Sequence, residues 1–245
     1  MFCKTLIAMT VAFLSTASLS TAQMFSEFEP APATGSTTSF FEIFGDANTA
    51  FDLNIVSIEN DGFNGFVDRS SNVTGMFDSN GLAVVEVPEI EAPSFSVFLV
   101  ENLVTLGIDL DTDNDGNLDT SGFGTIFDAV GVSDSAADNS TLYAGAFGGS
   151  NILYNNIDEP LGVFREGSSG DFYQYVTADA GLVTEYVALF TADGQTELNP
   201  ADFNFDPTTT SYNMINPSAV PEPTSIALLG LVGLTSGLIR RRRLG

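Results

Sequence analysis

The sequence predicts an all-β protein, a sandwich of two sheets, on three observations. Short runs rich in β-branched and aromatic residues recur along the body, several of them alternating apolar and polar. Turn-forming pairs such as Asn80-Gly81 and Asp193-Gly194 separate them. Outside the two ends of the chain, no long stretch carries apolar residues at helical spacing. Many short strands between turn signals are the pattern of a sandwich. A membrane barrel also alternates, but it needs an even series of about ten-residue amphipathic strands and tolerates no helical anchor.

Six strands are predicted in order: Ser39–Phe44 (SFFEIF), Phe51–Ile58 (FDLNIVSI), Gly81–Val87 (GLAVVEV), Ser94–Asn102 (SFSVFLVEN), Thr125–Val132 (TIFDAVGV) and Thr184–Thr191 (TEYVALFT). In the fourth, Phe95, Val97 and Leu99 share one face and Ser94, Ser96 and Phe98 the other. Asp61-Gly62, Asn64-Gly65 and Gly148-Gly149 add turn signals. Between residues 23 and 220 there is no tryptophan, histidine or cysteine, so disulfides are excluded there. Buried aromatic and β-branched side chains must supply the stability, and phenylalanine, with 21 copies in the chain, is the main one.

The two ends read as addresses. Residues 1–22 hold one cation (Lys4), an apolar stretch from Leu6 to Leu14 and a small-residue site at Ser20-Thr21-Ala22. That is the layout of a secretory signal peptide, which signal peptidase would remove together with Cys3. Residues 23–38 are expected as a polar leader, 39–198 as the sandwich domain and 199–219 as a spacer holding it off the membrane. From Ile226 to Ile239 the chain carries no charge, and Arg240, Arg241, Arg242 and Arg243 follow. This is shorter than the roughly 20 residues of an ordinary membrane span. With a basic stop behind it, it predicts a stop-transfer helix whose arginines stay in the cytoplasm while the body lies outside.

Charge is partitioned to match. From Gln23 to Val220 the chain sets two arginines, Arg69 and Arg165, against 31 carboxylates, a net −29 with no lysine. Such a body repels nucleic acid and anionic lipid alike.

One motif carries chemistry. In Asp109–Asp119 (DLDTDNDGNLD), Asp111, Asp113 and Asp115 occupy positions 1, 3 and 5 of a calcium loop, with Gly116 at the sharp turn. Asn117 would offer its carbonyl and Asp119 a ninth-position ligand. Position 12 is Gly122 where the bidentate glutamate belongs, and no helix is predicted on either side, so a complete EF-hand is excluded. A strand-flanked loop of this kind takes its last ligand from elsewhere, with Asp109 or Asp128 as candidates. The competing reading is a solvated turn held by Asx hydrogen bonds.

The lack of histidine excludes a Ser-His-Asp triad, a Cys-His pair and histidine-ligated zinc. Gly162–Gly170 (GVFREGSSG) lacks the lysine and spacing of a phosphate loop. A glycosidase needs only two carboxylates, but nothing in the sequence singles out a pair.

Pro221-Glu222-Pro223, the apolar run and Arg240–Arg243 together closely resemble the PEP-CTERM sorting signal of Gram-negative bacteria, spanning 220–243. The resemblance implies that an inner-membrane exosortase cuts near Pro-Glu-Pro, so that the tail is an address and a temporary anchor. Phe40–Gly62 (FFEIFGDANTAFDLNIVSIENDG) resembles the opening of lamin-tail domains, with SFSVFLVEN and IFDAVGVSD resembling later strands; this implies an immunoglobulin-like sandwich. The expected function is an exported, non-enzymatic acidic protein of the cell envelope or matrix, calcium-stabilised, with exopolysaccharide as a candidate partner. The alternative is a carboxylate-based glycan hydrolase or glycan-binding module.

Overall fold

The computed structural model describes residues 22–30, 36–60, 65–90, 94–167, 169–178 and 186–220. Pro221, Glu222, Pro223, the apolar run, Arg240–Arg243, the signal peptide before Ala22 and the turn pair Asp61-Gly62 lie outside them. Among the described residues, no helix is long and apolar enough to cross a membrane.

The strands are β1 (Met24–Phe28), β2 (Thr38–Phe44), β3 (Ala50–Glu59), β4 (Val67–Met76), β5 (Leu82–Pro88), β6 (Phe95–Val100), β7 (Ile126–Val132), β8 (Ser150–Ile152), β9 (Pro160–Arg165), β10 (Phe172–Ala178), β11 (Tyr186–Thr191) and β12 (Glu197–Leu198). They form a seven-stranded sheet ordered β12-β11-β10-β9-β1-β2-β5 and a five-stranded sheet ordered β4-β3-β6-β7-β8. All pairings are antiparallel except β7 with β8. The predicted sandwich is present, and all six predicted strands match strands of the structure within two residues at either end.

The two sheets face each other across a core of phenylalanine and β-branched residues. Phe25, Phe28, Phe41 and Ile43 of the seven-stranded sheet meet Phe51, Leu53, Ile55, Phe95, Val97 and Leu99 of the other. Rings pair within it, Phe28 stacked on Phe41 at 5.1 Å and Phe51 tilted against Phe77 at 4.8 Å between centroids. The other face of β6 is also covered. Phe98 and Val100 join Val56, Ile58, Phe123, Tyr143 and Ala144 in a second cluster, roofed by residues from 104 to 147. A sandwich strand with only one buried face would leave Phe98 in water, and this roof removes it.

Two expected boundaries are corrected. The polar leader is not a leader, because β1 lies inside the seven-stranded sheet between β9 and β2, with Phe25 and Phe28 fully buried. Its signal was masked by a bulge. Phe25 pairs with Ile43 but Glu27 pairs with Glu42, so Ser26 is an extra residue and the two phenylalanines fall three apart instead of two. The spacer is no spacer either. Residues 199–220 lie against the outer face of the seven-stranded sheet, where Phe203 packs with Phe164, Tyr175 and Leu189. The folded unit thus runs from Met24 to Val220.

The turn between β4 and β5 needs its glycine. Gly81 sits at φ +83, donates its N–H to the carbonyl of Asp78 (3.1 Å), and would place a Cβ in collision with the carbonyl of Gly45. Gly81→Ala is therefore expected to destabilise by at least about 2 kcal/mol, combining left-handed strain with a backbone clash. A change under about 0.5 kcal/mol in urea unfolding would refute this.

Candidate metal loop and sorting tail

The aspartate loop leaves the five-stranded sheet on paired backbone. Val67 N–H donates to Ile108 O at 2.9 Å, and Leu110 N–H to Gly65 O at 2.8 Å. Asp119 N–H then closes the loop on Leu110 O at 2.7 Å. Leu110 and Leu118, flanking the acidic residues, both pack against the second apolar cluster. The loop is thereby nailed at both ends to the roof of β6, and between the two leucines Asp113 and Asp115 are exposed.

Inside the loop Asp111 is the pivot. It is buried, its Oδ1 accepts the Asp115 N–H (3.0 Å), and its Oδ2 accepts the Gly116 N–H (3.0 Å) and the Tyr143 hydroxyl (2.9 Å). Burial, and then the Asp111 carboxylate it donates to, push the Tyr143 phenol well above its usual range, so it stays a donor. Asn114 at φ +53 and Gly116 at φ +84 provide the two left-handed residues that curl the backbone. Asp109 supports the entry by accepting the Asp111 N–H at 2.9 Å.

This curl gathers Asp111, Asp113 and Asp115, each presenting a carboxylate oxygen within 4.8 Å of the other two. Two oxygens at opposite sides of a calcium ion, each at about 2.4 Å, are separated by about 4.8 Å, so the cluster fits a hard cation. Asp111 enters partly used, with three hydrogen bonds on two oxygens that offer about four lone-pair sites. Of the other two named ligands, the Asp119 carboxylate is not part of that three-carboxylate group, and the ligand expected of Asn117 is its backbone carbonyl. Asn117 donates its N–H to Asp115 Oδ1 at 2.9 Å, and Asp119 turns its carboxylate to the Ser121 N–H at 3.0 Å, which holds its pKa below the ordinary range.

Asp128 is not available as a completing ligand. Its Oδ2 lies 2.7 Å from Arg165 Nη2 and accepts the Phe25 N–H at 2.9 Å, tying β7 of one sheet to β9 and β1 of the other. The Arg165 guanidinium also lies 4.2 Å over the Phe172 ring. Both body arginines are structural, since Arg69 pairs with Asp68 at 2.6 Å and donates to Glu89 O.

One site escaped sequence reasoning. The Ser26 bulge brings Glu27 directly opposite Glu42 on the outer face of the seven-stranded sheet, where both are almost completely buried. Residues 206–220 cover them as a strap. Ser211 donates its N–H to both Glu27 oxygens (2.9 Å each) and its hydroxyl to Oε2 (2.6 Å), while Asn213 N–H donates to Glu42 Oε2 (2.6 Å). Asn216 bonds Ser26 and the Arg165 carbonyl. Burial raises the pKa of both glutamates, Glu42 to about 7. Only the single-residue bulge makes them neighbours, and no spacing rule announces it.

Comparison with known proteins matches residues 219–243 to the PEP-CTERM protein-sorting motif. No curated protein and no solved structure matches the chain at a significant level. The match does not extend to the lamin-tail resemblance in the body. The motif is that of exported proteins that pass through the membrane and are handled by an exosortase. Its first two residues belong to the folded unit: Ala219 N–H donates to Glu166 Oε1 at 3.1 Å and Val220 N–H to Asp202 O at 2.7 Å.

Proposed function

We propose that this exosortase substrate is a non-enzymatic, calcium-stabilised acidic β-sandwich, delivered by its C-terminal signal to the cell envelope or extracellular matrix of a Gram-negative-type bacterium. The observation that carries the destination is the sorting motif at 219–243. In the order proposed, signal peptidase removes residues 1–22, the apolar tail holds the body at the outer side of the inner membrane, and the exosortase releases or transfers it. Exopolysaccharide is the proposed neighbour at the destination.

The non-enzymatic reading is supported by the side chains on offer. The body has no histidine or cysteine, and the opposed glutamates Glu27 and Glu42 lie beneath the strap instead of in an open cleft where a polysaccharide could reach them. The purified protein should turn over none of a panel of surface polysaccharides. Hydrolysis abolished by a single Asp or Glu substitution would instead establish the glycan-hydrolase reading.

The calcium reading is supported by the Asp111, Asp113 and Asp115 cluster. An ion held there relieves the repulsion of like charges and stabilises the native state by RT ln(1 + [L]/Kd), about 1.4 kcal/mol at ten times Kd. For a domain of this size that moves the thermal midpoint by about 3–6 °C. Salt alone also screens a −29 body, so equal magnesium is the control. Calcium should exceed magnesium, and Asp113→Ala with Asp115→Ala should erase the difference while the general salt response persists. Equal responses to the two metals would leave the loop as a solvated turn.

A further inference from the structure

The strap over Glu27 and Glu42 is held in an unusual way. Carboxylates receive its backbone at three places: Glu27 at Ser211, Glu42 at Asn213 and Glu166 at Ala219. Glu42 Oε1 is buried without a hydrogen-bond partner, and Glu27 stands directly across the strand pair from it. Like charges opposite one another on a sheet repel, and an ionised oxygen without a donor is worse still. The pair is at ease only with a proton on it.

We propose that the strap is a proton-operated clasp. With a proton on the Glu27–Glu42 pair, residues 206–220 stay docked and hold the first residues of the sorting motif against the body. Loss of that proton loosens the strap and frees the motif for its membrane peptidase. The consequence for processing rests on the sorting function proposed above; the clasp itself does not.

Among the described residues no cation is directed at the pair. The Ser26 hydroxyl and the strap donors at Ser211 and Asn213 pull its pKa down, and burial and the neighbouring acids outweigh them. Glu29 follows β1, Asp78 sits in the turn after β4, and both lift the pair further. Glu86 stands exposed on β5, Tyr175 of β10 and Tyr212 of the strap are phenols pushed above their usual range, and Asp206 adds another negative charge near Tyr175. Arg165 of β9, the nearby cation, directs its guanidinium to Asp128, Phe25 O and Gly170 O. A carboxyl whose docked pKa lies near 7, against 4.5 when released, favours docking fully at acid pH. That preference fades as pH rises through about 7.

The test is amide hydrogen exchange of the full chain in detergent, corrected for intrinsic rates, between pH 5.5 and 8.5. Protection of peptides spanning 206–220 should fall about tenfold or more across that range, while β3 and β6 hold constant. Glu42→Gln should keep the strap protected at every pH, because the amide still accepts from Asn213 and carries no charge. Ser211→Ala should lower strap protection at all pH values without removing its pH dependence. A flat wild-type profile, or an unchanged slope in Glu42→Gln with β3 and β6 still protected, would overturn the clasp. Exchange needs no exosortase, so such a result would leave the sorting signal standing, and mis-sorting of a protein with the expected profile would do the reverse.

Discussion

Arg165→Met should lower the stability of the body by about 3–5 kcal/mol, the range for removing one partner of a largely buried ion pair. The methionine would retain much of the packing over Phe172 but leave Asp128 facing the intersheet core without its cation. Both side chains are less than a quarter exposed, at 21% and 12%, so solvent does little of the compensation. The thermal midpoint should fall by about 10 °C or more. Asp128 makes the loss pH-dependent. Burial already raises its pKa against the opposing pull of Arg165, and without the arginine it rises further. A carboxyl with a raised folded pKa favours the folded state when protonated, so the variant should recover part of its deficit at pH 5 relative to pH 8. Adding Asp128→Asn keeps an acceptor for the Phe25 N–H and removes the charge, and should restore most of the loss at pH 8. Urea unfolding of the four proteins forms a double-mutant cycle. A single-variant loss under 1 kcal/mol would show that this bridge behaves like a surface pair.

Deleting Arg240–Arg243 should abolish correct delivery. The apolar run Ile226–Ile239 is only 14 residues long, so under the proposed anchoring role it would depend on the basic cluster to stop translocation and fix orientation. Without the arginines the chain should pass through the membrane with its tail uncut. Glu222→Ala with Pro223→Ala should fail differently, leaving the body outside but still attached to the inner membrane. Cell fractionation with mass spectrometry of the C-terminus distinguishes the two. If both variants reach the exterior with the wild-type C-terminus, the tail is not the address. Among the described residues, the chain stays hydrogen-bonded to the sandwich as far as Val220, whose N–H donates to Asp202 O.

The legibility of the fold varied strand by strand, for physical reasons. β2, β3 and β5–β7 are written in β-branched and aromatic residues, because both faces or one whole face are buried and period-2 burial leaves a readable trace. β4, an edge strand, reads Val-Asp-Arg-Ser-Ser-Asn-Val-Thr-Gly-Met and looks like a loop. Only Val67 and Val73 of it are buried. Asn72 donates to Asp52 across the pair at 2.8 Å, so the long pairing with β3, not an apolar face, makes it a strand. β9 was hidden in a glycine-rich stretch. There Gly162 is required because a Cβ would drive into the Tyr175 ring, a contact visible only once β9 and β10 are side by side.

The candidate metal loop was legible because its ligands are contiguous. Alternate aspartates and a glycine fix a local curl, and local geometry follows from local sequence. Nothing local indicated that Asp111 would be buried under Tyr143, 32 positions away, or that Asp128 would be taken by Arg165.

By itself, the sequence determined the all-β class, the charge, the sorting tail and the aspartate cluster, since each depends on residue types at short spacing. Tertiary structure alone decided that the leader is a central strand, that the spacer is a strap and that Glu27 faces Glu42. Those facts join residues up to 190 positions apart, through a one-residue bulge and a returning segment. Partners that distant are selected by the packing of the whole sandwich, which leaves no period in the chain to read.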